Sequence, residues 1–325
     1  MREKDNNFKN IALFGAGYWG KNHLRELNNS KLVSSVFVVD PFIDSNNSLI
    51  DLYPDVLFYD SLDRLLSDNH KIDGAIIATP PNTHFEVAKQ CLTNNIHVLV
   101  EKPMVESLKK LDELNDLSKK NNKLLMSGHT YLYNSAIIKM KEIIEDNQIG
   151  DIMFIHSQRL NFGIMREETD IFLSLAPHDI SLVQFFLNDQ PHINLSKQIS
   201  NFTFSPHDDF SSTLLEYDNN VSAKIDVSWY YPEKIRSLKI IGSKKTLVFD
   251  DVLKTIELHD ISIKDDYSHN NNGIEEILFD NNISPLSNEI KEFIGYFTTP
   301  NECITGYKHT RNVIKVIEEY YEEKN

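Results

Sequence analysis

Short apolar segments alternate with longer amphipathic ones through the first part of the chain. Apolar runs predict strands at 10–14, 35–40, 56–59, 73–79, 96–100 and 124–128. Leucines three residues apart from Leu108 to Leu117 predict a crossover helix, whereas Ser45 to Pro54, rich in Asn, Asp and Ser, is interpreted as a loop or frayed helix. Strands that alternate with helices are typical of a parallel sheet, so this part is predicted to be an α/β domain.

The rest of the chain has a different pattern. Helices are predicted at 133–150, 172–187 and 309–323, and antiparallel strands at 152–160, 211–217, 221–231, 235–241 and 245–249, with 192–204 as a further candidate. Residues 260–282, rich in Asn and Asp, are interpreted as an exposed loop. We expect two domains, 1–124 and 125–325, with the final helix packing back on the body. The free face of the second sheet is expected to pack on another subunit, and the aromatic residues 229–231 are assigned to that interface or to the core.

A glycine-rich turn connects the first predicted strand to a helix. In residues 15–20, the first glycine suits a tight turn, the second lets the backbone approach a pyrophosphate, and the third lets the helix pack on the strand. Asp40 ends the second strand twenty residues after Gly20, where such folds place the carboxylate that binds an adenosine ribose. A carboxylate repels a 2′-phosphate, so NAD is predicted rather than NADP. The alternative is an ordinary strand-to-helix turn, with Asp40 as a polar strand end.

Polar residues follow the fourth strand at its carboxyl end. Thr79, Pro80, Asn82 and His84 occupy this position. Ligands of open α/β sheets bind at the carboxyl ends of the strands, so these residues are predicted to contact the dinucleotide. His84 is interpreted as a residue that caps or orients the loop, with catalysis as the alternative, because a lone histidine needs a positioned partner to react.

Glu101, Lys102 and Pro103 follow the fifth strand. A lysine at the exit of a buried strand is unusual for a solvated charge, and partial burial lowers the pKa of a lysine toward neutrality. Lys102 is therefore a candidate for proton transfer. The alternative is a surface ion pair between Glu101 and Lys102.

Two arginines lie in and after the predicted strand 152–160. Arg159 and Arg166 are suited to bidentate binding of a carboxylate or phosphate. The alternative is that they form surface ion pairs with the acidic residues 167, 168 and 170.

Composition excludes several classes of protein. The chain has 325 residues, 41% of them apolar and 25% charged, which indicates a globular protein. Its net charge of −15 argues against nucleic-acid binding. Cys91 and Cys303 do not form a disulfide or metal-binding spacing, so no metal is expected. The N-terminal residues lack an apolar signal segment and no apolar run reaches about 18 residues, so we expect a cytoplasmic protein with no membrane association.

Several of these motifs together resemble one family. They are residues 15–20, the Ala-Thr-Pro-Pro-Asn-Thr-His segment 78–84, Glu101-Lys102-Pro103, Gly128-His129 and His178-Asp179. The combination resembles the Gfo/Idh/MocA oxidoreductases over nearly the whole chain. The resemblance implies a Rossmann domain, followed by an α+β domain whose open-faced, mostly antiparallel sheet carries the substrate and packs subunits into a homodimer or homotetramer.

The resemblance also implies roles for individual residues. The cofactor NAD would be bound by Gly15, Gly17, Tyr18, Trp19, Gly20, Asp40, Thr79, Pro80, Asn82, His84, Glu101 and Lys102. The substrate would be bound by Lys102, Tyr131, Arg159, Asn161, Arg166 and His178. Lys102 would take the hydroxyl proton, and His178 would bind the hydroxyl or share the relay. Family members commonly carry an aspartate one turn before this histidine, where this chain has Ser174, and Asp170 or Asp179 are the candidates to replace it.

The substrate class follows from finer similarities. The Gly-Tyr-Trp-Gly form of the turn, the Tyr-Leu-Tyr-Asn segment after Gly128-His129 and the Ala-Pro-His-Asp segment resemble members that act on nucleotide-linked sugars. On that resemblance, the expected reaction is oxidation at C3 of a UDP-N-acetylhexosamine. Two alternatives stay open: a dehydrogenase of a free sugar or inositol, and a non-catalytic NAD-binding sensor, which Ser174 motivates.

Overall fold

The structure is a computed structural model that describes residues 8–42, 47–163, 169–188, 193–203, 207–217, 220–263 and 266–322. It divides into two compact units. The first comprises Met1–Thr130 with Ser284–Arg311, and the second comprises Tyr131–Ile283 with Asn312–Asn325. Within the described ranges, none of the helices has the length and apolar character needed to cross a membrane.

Strands alternate with helices in residues 9–128, as the sequence pattern predicts. The helices are α1 (Tyr18–Asn29), α2 (Asn47–Leu52), α3 (Leu62–Ser67), α4 (His84–Thr93), α5 (Leu108–Asn121), α6 (Ser135–Glu145), α7 (Ile171–Phe186), α8 (Pro285–Gly295) and α9 (Tyr307–Glu322). The strands of the first unit are β1 (Lys9–Phe14), β2 (Val33–Val39), β3 (Leu57–Tyr59), β4 (Gly74–Ile77), β5 (His97–Glu101) and β6 (Leu125–Gly128). Those of the second unit are β7 (Ile152–Phe162), β8 (Ile193–Ser200), β9 (Phe210–Tyr217), β10 (Ser222–Ser228), β11 (Tyr230–Gly242), β12 (Thr246–Asp250), β13 (Thr255–Ile263) and β14 (His269–Ile277).

The six strands of the first unit form one parallel sheet in the order β3-β2-β1-β4-β5-β6. This is the strand order of a dinucleotide-binding fold, and it confirms the predicted Rossmann architecture. The central strands are apolar throughout because both faces of the sheet are covered: residues 11–13 and 98–100 have no exposed surface. The carboxyl ends of β1, β2, β4 and β5 therefore meet at one edge.

The segment from α8 to the start of α9 belongs to the first unit, although the sequence assigned it to the second domain. The ring of Phe297 stacks on His97 with centroids 4.2 Å apart, and the carbonyl oxygen of Thr305 accepts a hydrogen bond from the Ser127 N–H at 3.0 Å. These contacts hold residues 284–311 on β5 and β6. The first unit also includes β6 and runs to Thr130, beyond the boundary expected at residue 124.

The second unit is built on an eight-stranded sheet in the order β14-β13-β12-β11-β7-β10-β9-β8. Only β7 and β10 pair in parallel, and every other adjacent pair is antiparallel, which confirms the predicted mostly antiparallel sheet. α7 packs on β10, β7 and β9. Its buried residues include Phe172, whose ring stacks on Tyr320 of α9.

Two predictions for this sheet were wrong. Within the segment 260–282 that was interpreted as a loop, residues 260–263 and 269–277 are strand, because Thr255–Ile263 and His269–Ile277 pair as the edge hairpin β13-β14. Their polar sequence is tolerated because an edge strand has few buried side chains. The strand predicted at 221–231 ends at Ser228, and the chain turns at Trp229. Trp229 is buried whereas Tyr230 is half exposed, so the first belongs to the core.

Candidate active site

The turn after β1 has the conformation and the space that a dinucleotide pyrophosphate needs. Gly15 has a φ of 90°, and a Cβ there would lie 2.7 Å from the carbonyl oxygen of Ala78. A Cβ at Gly20 would lie 2.0 Å from the carbonyl oxygen of Gly15, so only glycine lets α1 approach this closely. A Cβ at Gly17 would have nothing within 4 Å, which leaves room for phosphate at the N-terminus of α1. These residues fit NAD.

Asp40 holds this turn in place. Its Oδ2 accepts a hydrogen bond from the Ala16 N–H at 2.7 Å, and its Oδ1 accepts one from the Phe42 N–H at 2.9 Å. Each carboxylate oxygen keeps a second lone pair, so Asp40 retains the capacity to bind the ribose as predicted. Tyr18 and Trp19 lie exposed in the first turn of α1, with ring centroids 5.8 Å apart.

His84 joins the loops that follow β4 and β5. It is buried, with Nε2 2.8 Å from the carbonyl oxygen of Thr79 and Nδ1 2.9 Å from that of Pro103. Both partners are acceptors, so both hydrogen bonds form only when each ring nitrogen carries a proton. The ring has a positioning contact on either side, which supports the interpretation that His84 orients these loops. Pro80 and Asn82 are exposed in the turn between Thr79 and His84.

Lys102 leaves β5 next to a buried carboxylate. Glu101 is 8% exposed; its Oε1 lies 2.9 Å from His23 Nε2, and its Oε2 accepts a hydrogen bond from the Lys102 N–H at 3.2 Å. Burial alone would raise the pKa of Glu101, but the hydrogen bond with His23 and the charges of His23 and Lys102 lower that pKa below its ordinary value. Because Glu101 is directed inward, the alternative of a solvent-exposed pair with Lys102 does not hold. The Lys102–Pro103 peptide bond is cis.

A second buried acid lies in the first unit, and sequence reasoning missed it. Glu289 of α8 has no exposed surface, and its Oε2 accepts a hydrogen bond from Thr130 Oγ1 at 2.9 Å. Burial, and then the charge of Glu101, raise the pKa of Glu289 well above its ordinary value of 4.5, so the site favours the protonated form of this carboxyl. One glutamate on an amphipathic helix, far in sequence from its partner, carries no local signal.

His129 follows β6 in the same unit and is uncharged. It is buried, and its ring lies 5.4 Å from that of His309 in an edge-to-face arrangement. Burial, followed by the charges of His309 and Lys102, lowers the pKa of His129 well below its ordinary value of 6.5.

In the second unit, Arg159 is occupied by groups of its own chain. Its Nε donates to Asp179 Oδ2 at 2.9 Å, its Nη2 to Asp179 Oδ1 at 3.2 Å, and its Nη1 to the Tyr131 hydroxyl at 2.8 Å. Arg159 is 5% exposed. Burial alone would lower its pKa, but the charge of Asp179 outweighs burial and raises the pKa above its ordinary value, so the guanidinium stays charged. Asp179 is therefore a bidentate partner of Arg159 within the chain, and the binding of a substrate anion by Arg159 stays a prediction.

Tyr131 lies between this ion pair and His178. Its hydroxyl also accepts a hydrogen bond from Arg236 Nη1 at 3.1 Å, and its ring packs against the His178 ring with centroids 5.2 Å apart. This contact positions the imidazole of His178, and the substrate-binding role of Tyr131 stays a prediction. His178 itself is partly exposed on α7.

Both aspartates that were candidates to replace the missing one at Ser174 have hydrogen-bond partners of their own. Asp179 is bound to Arg159 and accepts a further hydrogen bond from Ser157 Oγ at 2.6 Å. Asp170 is the N-cap of α7, and both of its carboxylate oxygens accept hydrogen bonds from the Tyr321 hydroxyl at 2.8 Å.

The sequence-predicted residues therefore fall into two groups. The first unit brings together the glycine turn, Asp40, the loop of His84 and Lys102 at one edge of the parallel sheet. The second unit brings together Tyr131, Arg159 and His178, with Asn161 near the end of β7. Arg166 lies outside the described residues. No group of three or more potential metal ligands occurs in the described part of the chain.

Two family models match the chain. One is described as "Oxidoreductase family, NAD-binding Rossmann fold" and matches residues 9–129, and the other, the GFO/IDH/MocA C-terminal domain, matches residues 137–248. The two matches fit the two units of the fold, which define an NAD-binding oxidoreductase. The chain belongs to the Gfo/Idh/MocA family.

Individual relatives differ in their reactions. An uncharacterized oxidoreductase of Streptococcus pneumoniae is 26% identical over 74% of this chain and 68% of its own length. An inositol 2-dehydrogenase of Arthrobacter is 23% identical over 67% of this chain and 66% of its own length. The chain thus spans about two thirds of each. The solved UDP-N-acetylglucosamine 3-dehydrogenase of Acidithiobacillus ferrooxidans superimposes with a TM-score of 0.80 over 95% of both chains at 18% identity, which shows the shared fold.

Proposed function

We propose that this chain is an NAD-dependent dehydrogenase that oxidises C3 of a UDP-N-acetylhexosamine to the ketone. The observation that carries the proposed reaction is the position of Lys102, at the carboxyl end of β5 on the sheet edge that holds the glycine turn, with its backbone N–H bound to the buried Glu101 carboxylate. In open α/β sheets this edge is where ligands bind.

Each residue has a defined task in the proposed reaction. When bound, NAD supplies the acceptor for the hydride that leaves the carbinol carbon. Lys102 Nζ takes the hydroxyl proton as the C=O bond forms, and His178 binds the same hydroxyl or shares the proton. Tyr131 packs on the His178 ring, and the hydrogen bonds of Tyr131 with two arginines fix its orientation. Asp40 binds the adenosine ribose.

The nucleotide-linked substrate is supported by two similarities: the sequence motifs shared with nucleotide-sugar enzymes, and the fold shared with the UDP-N-acetylglucosamine 3-dehydrogenase. The test is NADH formation by the purified protein with NAD and, in separate reactions, UDP-N-acetylglucosamine, N-acetylglucosamine, glucose and myo-inositol. Turnover with the UDP-sugar at a kcat/KM well above that of the free compounds is expected. Turnover restricted to free polyols would contradict the proposal.

Two specific observations favour the alternatives. The similarity to inositol 2-dehydrogenase favours a free cyclitol or sugar as substrate, and turnover on myo-inositol alone would identify it. Ser174, with Asp170 and Asp179 bound elsewhere, favours a non-catalytic NAD-binding protein. That alternative predicts NAD binding without turnover on any substrate of the panel.

A further inference from the structure

A second cavity lies in the first unit, at the sheet edge opposite the glycine turn. It has a volume of about 320 Å³, within the range of small-molecule sites. Its walls are the last two turns of α5, the start of β6 and the chain around the start of α9. The first residue of β6 lines this cavity, whereas the candidate active site lies at the carboxyl ends of the strands. The cavity is therefore separate from the candidate active site.

The charge of this cavity is opposite to that of the whole chain. Lys119, Lys123 and Lys308 line it, and none of its lining residues is acidic, although the chain carries a net charge of −15. Among the described residues, these three ammonium groups form no ion pair, whereas Lys89 and Lys110 of the same unit bind Glu113 and Glu106. Three cations around one concave surface favour an anion.

A buried amide also faces this space. Asn115 lines the cavity and is 7% exposed, and its side chain forms no hydrogen bond with any described residue. Ser118, one turn further along α5, has its hydroxyl bound to the Lys123 carbonyl oxygen at 2.6 Å. Asn115 is therefore a polar group in this wall that is available to a ligand.

The backbone adds donors and one opposing effect. α9 begins at Tyr307 on the cavity wall, where the first N–H groups of a helix lack helical partners and attract anions. The C-terminus of α5 brings carbonyl groups, but the N–H groups of Asn122 and Lys123 bind two of them, those of Lys119 and Ser118. Its remaining partial charge of about half a unit is small against three ammonium groups.

We propose that this cavity binds a small phosphate-bearing molecule, with Lys119, Lys123 and Lys308 on the phosphate and Asn115 on a neighbouring polar group. A cation–π contact holds Lys119 at the cavity wall, with its Nζ 5.5 Å from the centroid of the Tyr307 ring. The ring in turn is fixed by the hydrogen bond of the Tyr307 hydroxyl with Asp112 at 2.7 Å.

The test is calorimetric titration of inorganic pyrophosphate into the protein saturated with NADH, which blocks the glycine turn. The variant K119Q/K123Q/K308Q is compared with K31Q/K109Q/K120Q, which removes the same charge from lysines outside the cavity. We expect saturable binding to the native protein, a loss of about tenfold or more in affinity in the first variant, and native affinity in the second. Asn115→Leu is expected to weaken binding several-fold while the variant keeps its NADH affinity.

Three results would overturn the proposal. They are the absence of saturable binding, equal weakening by the two triple variants, and native affinity in the cavity variant. Equal melting temperatures of the variants and the native protein exclude misfolding as the cause of any loss. Binding of pyrophosphate at the proposed nucleotide-sugar site is not altered by the cavity substitutions, so the two sites are distinguished.

Discussion

His23 Nε2 lies 2.9 Å from Glu101 Oε1, and both side chains are buried. His23 is on the first helix after the glycine turn and Glu101 precedes Lys102, so this contact joins the cofactor-binding turn to the proposed proton acceptor. The lowered pKa of Glu101 shows that the carboxylate is charged. A buried charge of this kind depends on its partner.

His23→Ala is therefore expected to destabilise the protein by about 3–5 kcal/mol, because it leaves the Glu101 carboxylate buried without its partner. The free energy of unfolding in urea measures the effect. The double variant H23A/E101Q replaces the charge by a neutral amide and is expected to recover part of the loss. If the H23A variant is as stable as the native protein, the contact between His23 and Glu101 does not stabilise the fold.

Tyr131→Phe keeps the ring that packs on His178 but removes the hydroxyl that accepts hydrogen bonds from Arg159 and Arg236. The free energy of unfolding, measured in urea, is expected to fall by about 1–3 kcal/mol, because the buried Arg159 loses a hydrogen-bond acceptor. Tyr230→Phe is the matched control, since Tyr230 is half exposed, and it is expected to leave stability unchanged. Equal effects of the two variants would contradict the buried network.

Glu289→Gln tests the raised pKa of this carboxyl through the pH dependence of the free energy of unfolding. In the unfolded chain Glu289 loses its proton near pH 4.5, whereas in the folded protein it keeps the proton to higher pH. Between these values the folded state binds the extra proton, so this group lowers the free energy of unfolding as the pH rises. Glutamine removes that term and retains an acceptor for Thr130. The variant is expected to gain stability relative to the native protein as the pH rises from 5 to 8. A difference in free energy of unfolding that stays constant over this range would contradict the raised pKa.

Lys102→Ala is expected to lower kcat about a hundredfold to ten-thousandfold, as removal of a proton acceptor does. The affinity for NAD, measured by calorimetry, is expected to stay within a few-fold of native, because the glycine turn and Asp40 are untouched. Lys109→Ala, on the exposed face of α5, is the control. Unchanged turnover in the Lys102 variant would remove this residue from the chemistry.

The sequence predicted the Rossmann sheet because its strands are short apolar runs between turn residues, and burial on both faces leaves no other pattern. It did not predict the hairpin β13-β14, whose second strand contains Asn270, Asn271 and Asn272 and has little apolar surface to bury. Propensity fails there because pairing with a neighbouring strand supplies the stability.

The glycine turn and Lys102 were found from the sequence because their neighbours along the chain identify them. The partners of the site residues were not found. Asp179 binds Arg159 from a different element, and Glu289 meets Thr130 across 159 residues, so no local spacing connects either pair. The sequence did not indicate the internal carboxylate that binds Arg159, because a lone arginine on a strand gives no sign of one.

The most direct test of the proposed reaction uses UDP-N-acetylglucosamine with deuterium at C3, incubated with NAD and the purified protein. The account predicts that the NADH formed carries the deuterium, and that its formation is slower than with unlabelled substrate if hydride transfer limits the rate. Unlabelled NADH would show that the hydride comes from another carbon. No NADH from this substrate, with turnover on a free sugar or inositol, would contradict the assignment to nucleotide-linked sugars.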